Sequence, residues 1–303
     1  MNKLTEISKD VEEAISLKKP IVALESTLIS HGLPYPDNIK VAKESIMAVQ
    51  DNGAIAATIG IISGKIKIGL SNEEIEILAK DKNVQKVSNH NISLSVFNKQ
   101  NAATTVASTI NIASKFNIKF FSTGGIGGVH LESEESYDVS ADLYSLSNNV
   151  NYVICSGAKS ILDLNKTYEF LETLSIPRIG YKTNFMPGFW YSETDNKLDY
   201  NFAKISEICS FLKIHEKMKQ NKSVLIFNKI PNEHALKKEK VNNWIKTSIL
   251  KAKKNKISGK ELTPFLINEI NKESKNQTLK ANISLIINNA DLAGRLSKEY
   301  YSG

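Results

Sequence analysis

Lys159 has the type and setting of a carbon nucleophile. It follows the apolar run Val153-Ile154-Cys155 after only Ser156-Gly157-Ala158, so it belongs at the carboxyl end of a strand, where open α/β sheets bind ligands. A lysine amine attacks carbon centres only when it has shed its proton. The next residues, Ser160-Ile161-Leu162-Asp163, have the Ser-x-x-Asp form of a capping box. The spacing therefore predicts a helix over 160–174 with Lys159 just before its first turn. There the helix dipole, partial burial and any second cation would favour the neutral amine. The competing reading from position alone is a surface lysine, one of many in this chain.

Other residue types suggest partners for that amine. Glu25 ends the buried run Ile21-Val22-Ala23-Leu24, where burial would raise its pKa and suit it to acid or base work. His31, Pro34 and Pro36 most simply shape the turn that follows. The stretch Ser122-Thr123-Gly124-Gly125-Ile126-Gly127-Gly128-Val129-His130 offers backbone N–H groups to an anion, or is a tight turn with close backbone packing. It matches neither the P-loop nor the dinucleotide fingerprint. Asp138 and Asp142, four apart, are expected to share a helix face and to hold a hard ion such as magnesium or manganese, or else to be solvated.

Positioning these groups requires strands alternating with helices, and the chain reads that way. Strands are expected at 21–24, 54–62, 66–70, 118–121, 153–155 and 223–227. Helices are expected from Asp37 as a cap, over 72–80, over 104–116, along the Val241–Ala252 face, from Thr263-Pro264, and from Thr278 to about Tyr300. The segment from Arg178 to Asn201 reads as irregular, a possible lid over the sheet. No repeat, linker or composition break divides residues 1–303, so one α/β domain is expected.

Composition narrows the function classes. The chain has 303 residues, 41% hydrophobic, enough for a large core. Cys155 and Cys209 are the only cysteines, too few for a disulfide framework or a cysteine-based zinc site. The charged N-terminus lacks a signal-peptide core and no apolar run is long enough to span a bilayer, so a cytoplasmic protein without membrane contact is expected. The net charge of +7 comes almost wholly from scattered lysines, with Arg178 and Arg295 the only arginines. Nucleic-acid readers favour arginine, so nucleic acid is not expected as a partner.

Several segments taken together resemble one family. They are Val22-Ala23-Leu24-Glu25-Ser26-Thr27, His31-Gly32-Leu33-Pro34-Tyr35-Pro36, Thr123 to His130, Ser140-Ala141-Asp142-Leu143, Gly157-Ala158-Lys159-Ser160-Ile161-Leu162-Asp163, and Gly259-Lys260-Glu261-Leu262-Thr263-Pro264-Phe265. With Asn282 and Asn288-Asn289-Ala290 they run from about Pro20 to Tyr300 in the order and spacing of the pseudouridine-5'-phosphate glycosidase, or indigoidine synthase A-like, family. That resemblance implies a three-layer α/β/α sandwich around a mixed, largely parallel sheet, usually a homotrimer, with a manganese ion. It implies reversible cleavage of the C–C glycosidic bond of pseudouridine 5'-phosphate to uracil and ribose 5-phosphate.

By position, Lys159 matches the family's Schiff-base nucleophile and Glu25 its general acid/base. Lys86, Val106 and Ser140-Ala141-Asp142 match substrate contacts, and Asp138 the metal ligand. Two departures remove guanidinium groups: Asn89-His90-Asn91 stands where the family commonly has Arg-Arg-Asp, and Leu131 where it often has arginine. Phosphate would then fall to backbone N–H groups, Lys86 and other lysines. A catalytically impaired paralogue that binds a nucleotide or phosphosugar is the alternative those losses suggest.

Overall fold

The structure is a computed structural model and describes residues 3–257 and 262–302. Gly259-Lys260-Glu261, part of one resembling segment, lies outside the described residues. The strands in chain order are β1 (Thr5–Ile7), β2 (Ile21–Leu24), β3 (Ile55–Ile62), β4 (Lys65–Ile68), β5 (Gln85–Val87) and β6 (Ala102–Thr104). They continue with β7 (Phe120–Ser122), β8 (Tyr152–Cys155), β9 (Arg178–Tyr181), β10 (Tyr200–Phe202) and β11 (Val224–Asn228).

All of them join one mixed sheet. Its main body, β3-β2-β7-β8-β11-β9-β10, is parallel throughout. At one end β3 pairs antiparallel with both β4 and β6, and β5 and β1 add parallel to β6 and β4.

Side-chain alternation along these strands builds two cores. Ala23, Phe121, Val153 and Cys155 face one layer, with Leu143, Leu146, Leu171 and Val241 from its helices. Val22, Leu24, Phe120, Tyr152 and Ile154 face the other, with Leu212, Leu292 and Leu296. The fully buried neighbours Phe120 and Phe121 thus stabilise opposite layers, each by roughly 1.5–3 kcal/mol. Strands buried on both faces read as continuous apolar runs, and that made them visible in the sequence. The α/β/α sandwich expected from the resemblance is present.

The helices over Asn72–Lys80, Lys238–Lys254 and Gln277–Ser302 follow the apolar periodicity. The last begins on one core, through Leu285 and Ile286, and ends on the other, through Leu296 and Tyr300. It crosses beside the carboxyl ends of β7 and β8 on the way.

Three local expectations need correction. Asp37 is the first residue of the helix Asp37–Gln50 and makes no cap bond. The segment from 178 is not irregular throughout: Arg178–Tyr181 is a buried strand, and Met186, Phe189, Trp190 and Tyr191 are core residues. The helix predicted from Ser160 starts only at Leu164, with Asp163 as its N-cap accepting from Lys166 N at 2.9 Å. Ser160 instead donates through its hydroxyl to Gly188 O at 2.6 Å, so there is no capping box.

Candidate active site

Sheet register brings the first two groups together. Leu24 pairs with Ser122 across β2 and β7, which sets Glu25 beside Thr123 one rung further on. Thr123 Oγ1 donates to Glu25 Oε1 at 2.5 Å, in a buried setting. The two hydroxyls after Glu25 hold the strand end in place. Ser26 Oγ donates to Ile59 O on β3 at 2.7 Å, and Thr27 Oγ1 to Thr104 O on β6 at 2.7 Å. They tie β2 to the β6–β5 pair that carries Lys86.

β7 and β8 then deliver Lys159. The turn after β8 bends at Gly157, whose φ is +88° and whose missing Cβ would lie 2.0 Å from Pro187 O. Only glycine fits there. Ala158 bridges to Ile126, and Lys159 N donates to Ile126 O at 3.1 Å. Lys159 is half-buried. It lies five residues short of the helix, beyond the reach of that helix's dipole. The charges around it come from Glu25, Lys86 and His130 instead.

Those charges act on one another. Burial pushes the Glu25 carboxyl above its ordinary value, against the pull of Lys159 and the Thr123 hydrogen bond; Asp142 adds to the rise and Lys86 opposes it. Lys86 stands exposed at the mouth of the site. Enough protein surrounds its amine that desolvation, then the Lys159 charge, pull it below the usual lysine value, with Asp142 and Glu25 opposing. His130 is likewise held down, chiefly by burial. One carboxyl biased toward its neutral form and two close amines is the kind of charge set that accompanies acid–base and nucleophilic work.

Of the two readings of the glycine turn, the contacts favour close packing. The amides of Ile126, Gly127, Val129 and His130 donate to Gly157 O, Asp142 Oδ2, Thr167 Oγ1 and Asp138 O. They are not a free row of donors for an anion. A Cβ on Gly127 would fall 2.2 Å from Ser140 Oγ, so close packing is what glycine provides. The tight-turn reading holds.

Asp138 and Asp142 do not share a helix face. Val139 bridges back to Val129, Ser140 caps the helix Ala141–Asn148, and Asp138 lies before it. Asp138 is half-exposed, with Oδ2 3.7 Å from His130 Nδ1. Asp142 is buried, and its two oxygens accept from Ala107 N and Gly127 N, each at 2.8 Å. It clamps the glycine turn to the helix Val106–Lys115, which Thr105 caps. Among the described residues no three His, Cys, Asp or Glu side chains gather as a metal cage.

Asp142→Asn must set an amide NH2 against one of those backbone N–H groups. The expected loss of stability is about 2–3 kcal/mol, the worth of a hydrogen bond to a charged group plus an orphaned donor. Denaturant unfolding checks it; an unchanged midpoint would show that the clamp carries no weight.

Ser140 also packs on that turn, its N donating to Gly128 O at 2.9 Å; Ala141 and Val106 are the chain neighbours of Asp142 and Ala107, and the charge of Lys86 on β5 acts on Asp142. Sequence reading gave Thr123 no role as the partner of Glu25 and assigned none to His130; both signals were present as polar residues in the glycine turn. In the Asn89-His90-Asn91 stretch, Asn89 donates to Ser145 Oγ at 2.7 Å. Asn91 accepts from Ser88 N at 2.8 Å and donates to Lys86 O at 3.2 Å. Both amides brace the protein.

Known proteins match the whole chain. A family model described as indigoidine synthase A like protein matches residues 10–299. The pseudouridine-5'-phosphate glycosidase of Petrotoga mobilis is 46% identical over 295 residues, covering 97% of this chain and 96% of its own. The Escherichia coli K12 protein of the same name is 43% identical, covering 98% and 96%. Among solved structures, the prealnumycin C-glycosynthase AlnA in complex with ribulose 5-phosphate superposes with a TM-score of 0.92 at 32% identity, covering 99% and 98% of the two chains. An indigoidine synthase A-like protein from Thermotoga maritima gives 0.89 at 32% identity, covering 98% and 97%.

Proposed function

Because the chain belongs to the indigoidine synthase A-like family, we propose that it is a pseudouridine-5'-phosphate glycosidase, cleaving the C–C glycosidic bond to give uracil and ribose 5-phosphate. The observation that carries this reading is that Glu25 and Lys159 stand just past the carboxyl ends of β2 and β8, with Lys86 of β5 acting on both and Glu25 biased toward its protonated form.

The chemistry follows from the bond to be broken. An N- or O-glycoside leaves through an atom that can be protonated directly, so two carboxylates suffice. Here the leaving atom is C5 of uracil, a poor leaving group. In our reading Glu25 gives its proton to the ribose ring oxygen as the C1'–O4' bond opens, and the Lys159 amine bonds to C1'. The Glu25 carboxylate then takes a proton from the new ammonium and passes it to C5, and the freed lone pair on nitrogen forms the C1'=N bond. The C1'–C5 electrons pass to the uracil carbonyl system, releasing uracil. Water then hydrolyses the imine, frees ribose 5-phosphate and restores the amine.

Lys86 is placed to hold substrate anion at the mouth. Asp142, Ser140, Ala141 and Val106 shape the wall against which the substrate rests. The donor set suits a hard ion held by one carboxylate and otherwise by water: Asp138, with His130 beside it, would hold manganese. When bound, the ion supplies positive charge at the substrate's anionic groups. A homotrimer in the cytoplasm is part of the same proposal; among the described residues no helix is long and apolar enough to cross a membrane.

The test is release of free uracil from pseudouridine 5'-phosphate, with and without manganese, and with unphosphorylated pseudouridine beside it. Uracil should appear, faster with manganese and with the phosphate present. Thermal stabilisation by the nucleotide without uracil would favour a non-catalytic phosphosugar binder. Equal rates on both substrates would remove the phosphate from the proposal.

A further inference from the structure

Asn289 touches none of the groups named above as reacting with or holding substrate, yet it joins the turns that carry them. It is fully buried on the helix Gln277–Ser302, where that helix passes the ends of β7 and β8. Its Nδ2 donates to Thr123 O at 2.9 Å and to Gly124 O at 3.3 Å, and Ser156 Oγ, 3.1 Å from that nitrogen, donates to its Oδ1 at 3.3 Å. Its Oδ1 accepts from Asn228 Nδ2 at 3.1 Å, at the end of β11. Backbone carbonyls can only accept, so the amide nitrogen must face β7, and the orientation is fixed. One side chain thus ties together the ends of three parallel strands.

Two further contacts make this a clamp rather than a single bond. Ile286, one turn earlier on the same helix face, closes on Gly124, where a Cβ would meet its Cγ1 at 2.9 Å. Ser156 N donates to Gly124 O at 2.9 Å, stitching the two turns directly. From Thr123 the chain of contact runs to Glu25 through the threonine hydroxyl. From Ser156 it runs through Gly157 to Lys159.

We infer that Asn289 is a positioning residue which sets the spacing of Glu25 and Lys159 by locking the Thr123-Gly124 turn to the Ser156 turn. The inference rests on the reading of those two residues as acid and nucleophile. Asparagine suits the task because it offers two donors to carbonyls and one acceptor to Asn228. Aspartate, of the same shape, would set oxygen against oxygen at Thr123 and Gly124.

The experiment compares Asn289→Asp with Asn151→Ala. Asn151 is equally buried and also donates to a backbone carbonyl, Ile118 O at 2.8 Å, but at the opposite end of β8. Asn289→Asp should lower kcat for uracil release about 10- to 100-fold with KM within about threefold, since a displacement near 1 Å at reacting groups costs on that order. Asn151→Ala should lower Tm and leave kcat alone.

A second measurement needs no substrate: carbon-13 titration of the Glu25 carboxyl in the ligand-free protein. Lys159, Asp142, Lys86 and Thr123 all act on that group. The Thr123 bond and the Lys159 charge both lower its pKa and both pass through the clamp, so loosening should move the Glu25 midpoint upward in Asn289→Asp and not in Asn151→Ala. Should Asn289→Asp fail to fold, Ser156→Ala removes one corner of the clamp and should give the same signs at smaller size. Wild-type kcat and an unmoved Glu25 midpoint in a folded clamp variant would overturn the inference. If the wild-type chain releases no uracil, the functional reading fails, and the Glu25 titration still decides the clamp.

Discussion

Lys159→Ala is expected to abolish uracil release, with kcat falling by roughly 10⁵-fold or more, the scale seen when a covalent nucleophile is removed. Lys86, the amine whose charge meets that of Lys159, stands on β5 and not in the turn after β8, so it is not expected to take over. Borohydride with ribose 5-phosphate gives a direct readout, because reduction of an imine leaves the sugar attached to the protein. Wild-type protein should gain that mass on the peptide containing Lys159, and the alanine variant should gain none. An adduct that persists in the variant would remove Lys159 from the mechanism while leaving the fold and family untouched.

Glu25→Gln is the second large effect. General acid–base groups contribute about 10²–10⁴-fold, and kcat should fall within that range. The glutamine carbonyl can still accept from Thr123, so geometry is kept and only the proton is lost. As the proton donor to the ring oxygen, Glu25 must be protonated. Its raised pKa keeps it so to higher pH, and kcat/KM should fall as pH rises through that folded-state value.

Stability declines over the same rise in pH, and Glu25→Gln moves it in the opposite sense from activity. Below the unfolded-state pKa the carboxyl is neutral in both states and contributes no pH dependence. As pH rises past it, the unfolded chain ionises first while the folded one holds its proton, so the unfolded state gains and folding stability declines. The decline ends once pH exceeds the raised folded-state value. Glutamine carries no such penalty. The variant's Tm should therefore exceed that of the wild type by a margin that grows across this window, then levels off. A variant less stable than wild type at neutral pH would mean that the attraction of Lys159, and not desolvation, dominates at Glu25.

Asn289 and Asp142 belong to the same design at one remove. Neither needs to touch substrate to matter: each fixes backbone that aims a reacting group. Asp142 does so from the helix after the glycine turn, and Asn289 from the last helix of the chain. Their substitutions test support, whereas those of Lys159 and Glu25 test chemistry.

Much of this was legible in the residues themselves. Strands buried on both faces must be unbroken apolar runs, so Ile21–Leu24, Tyr152–Cys155 and Val224–Asn228 announced their own places. Helices with one buried face carry a periodic stripe, and Lys238–Lys254 and Gln277–Ser302 carried it. Placing Glu25 and Lys159 at strand ends needed only local patterning, and the order of short motifs along the chain pointed to the family. Register and packing decided what local pattern cannot encode. The Ser160-x-x-Asp163 spacing has the form of a cap, but Ser160 finds a stronger use in Gly188 O, and the helix waits for Asp163. Asp138 and Asp142 are four apart, yet a bridge at Val139 breaks the helix that would align them. The glycines look like an anion cradle until neighbouring side chains are seen to occupy that space. In each case the deciding contact lies far away along the chain, and short-range propensity is too weak to compete with a buried hydrogen bond or a filled core.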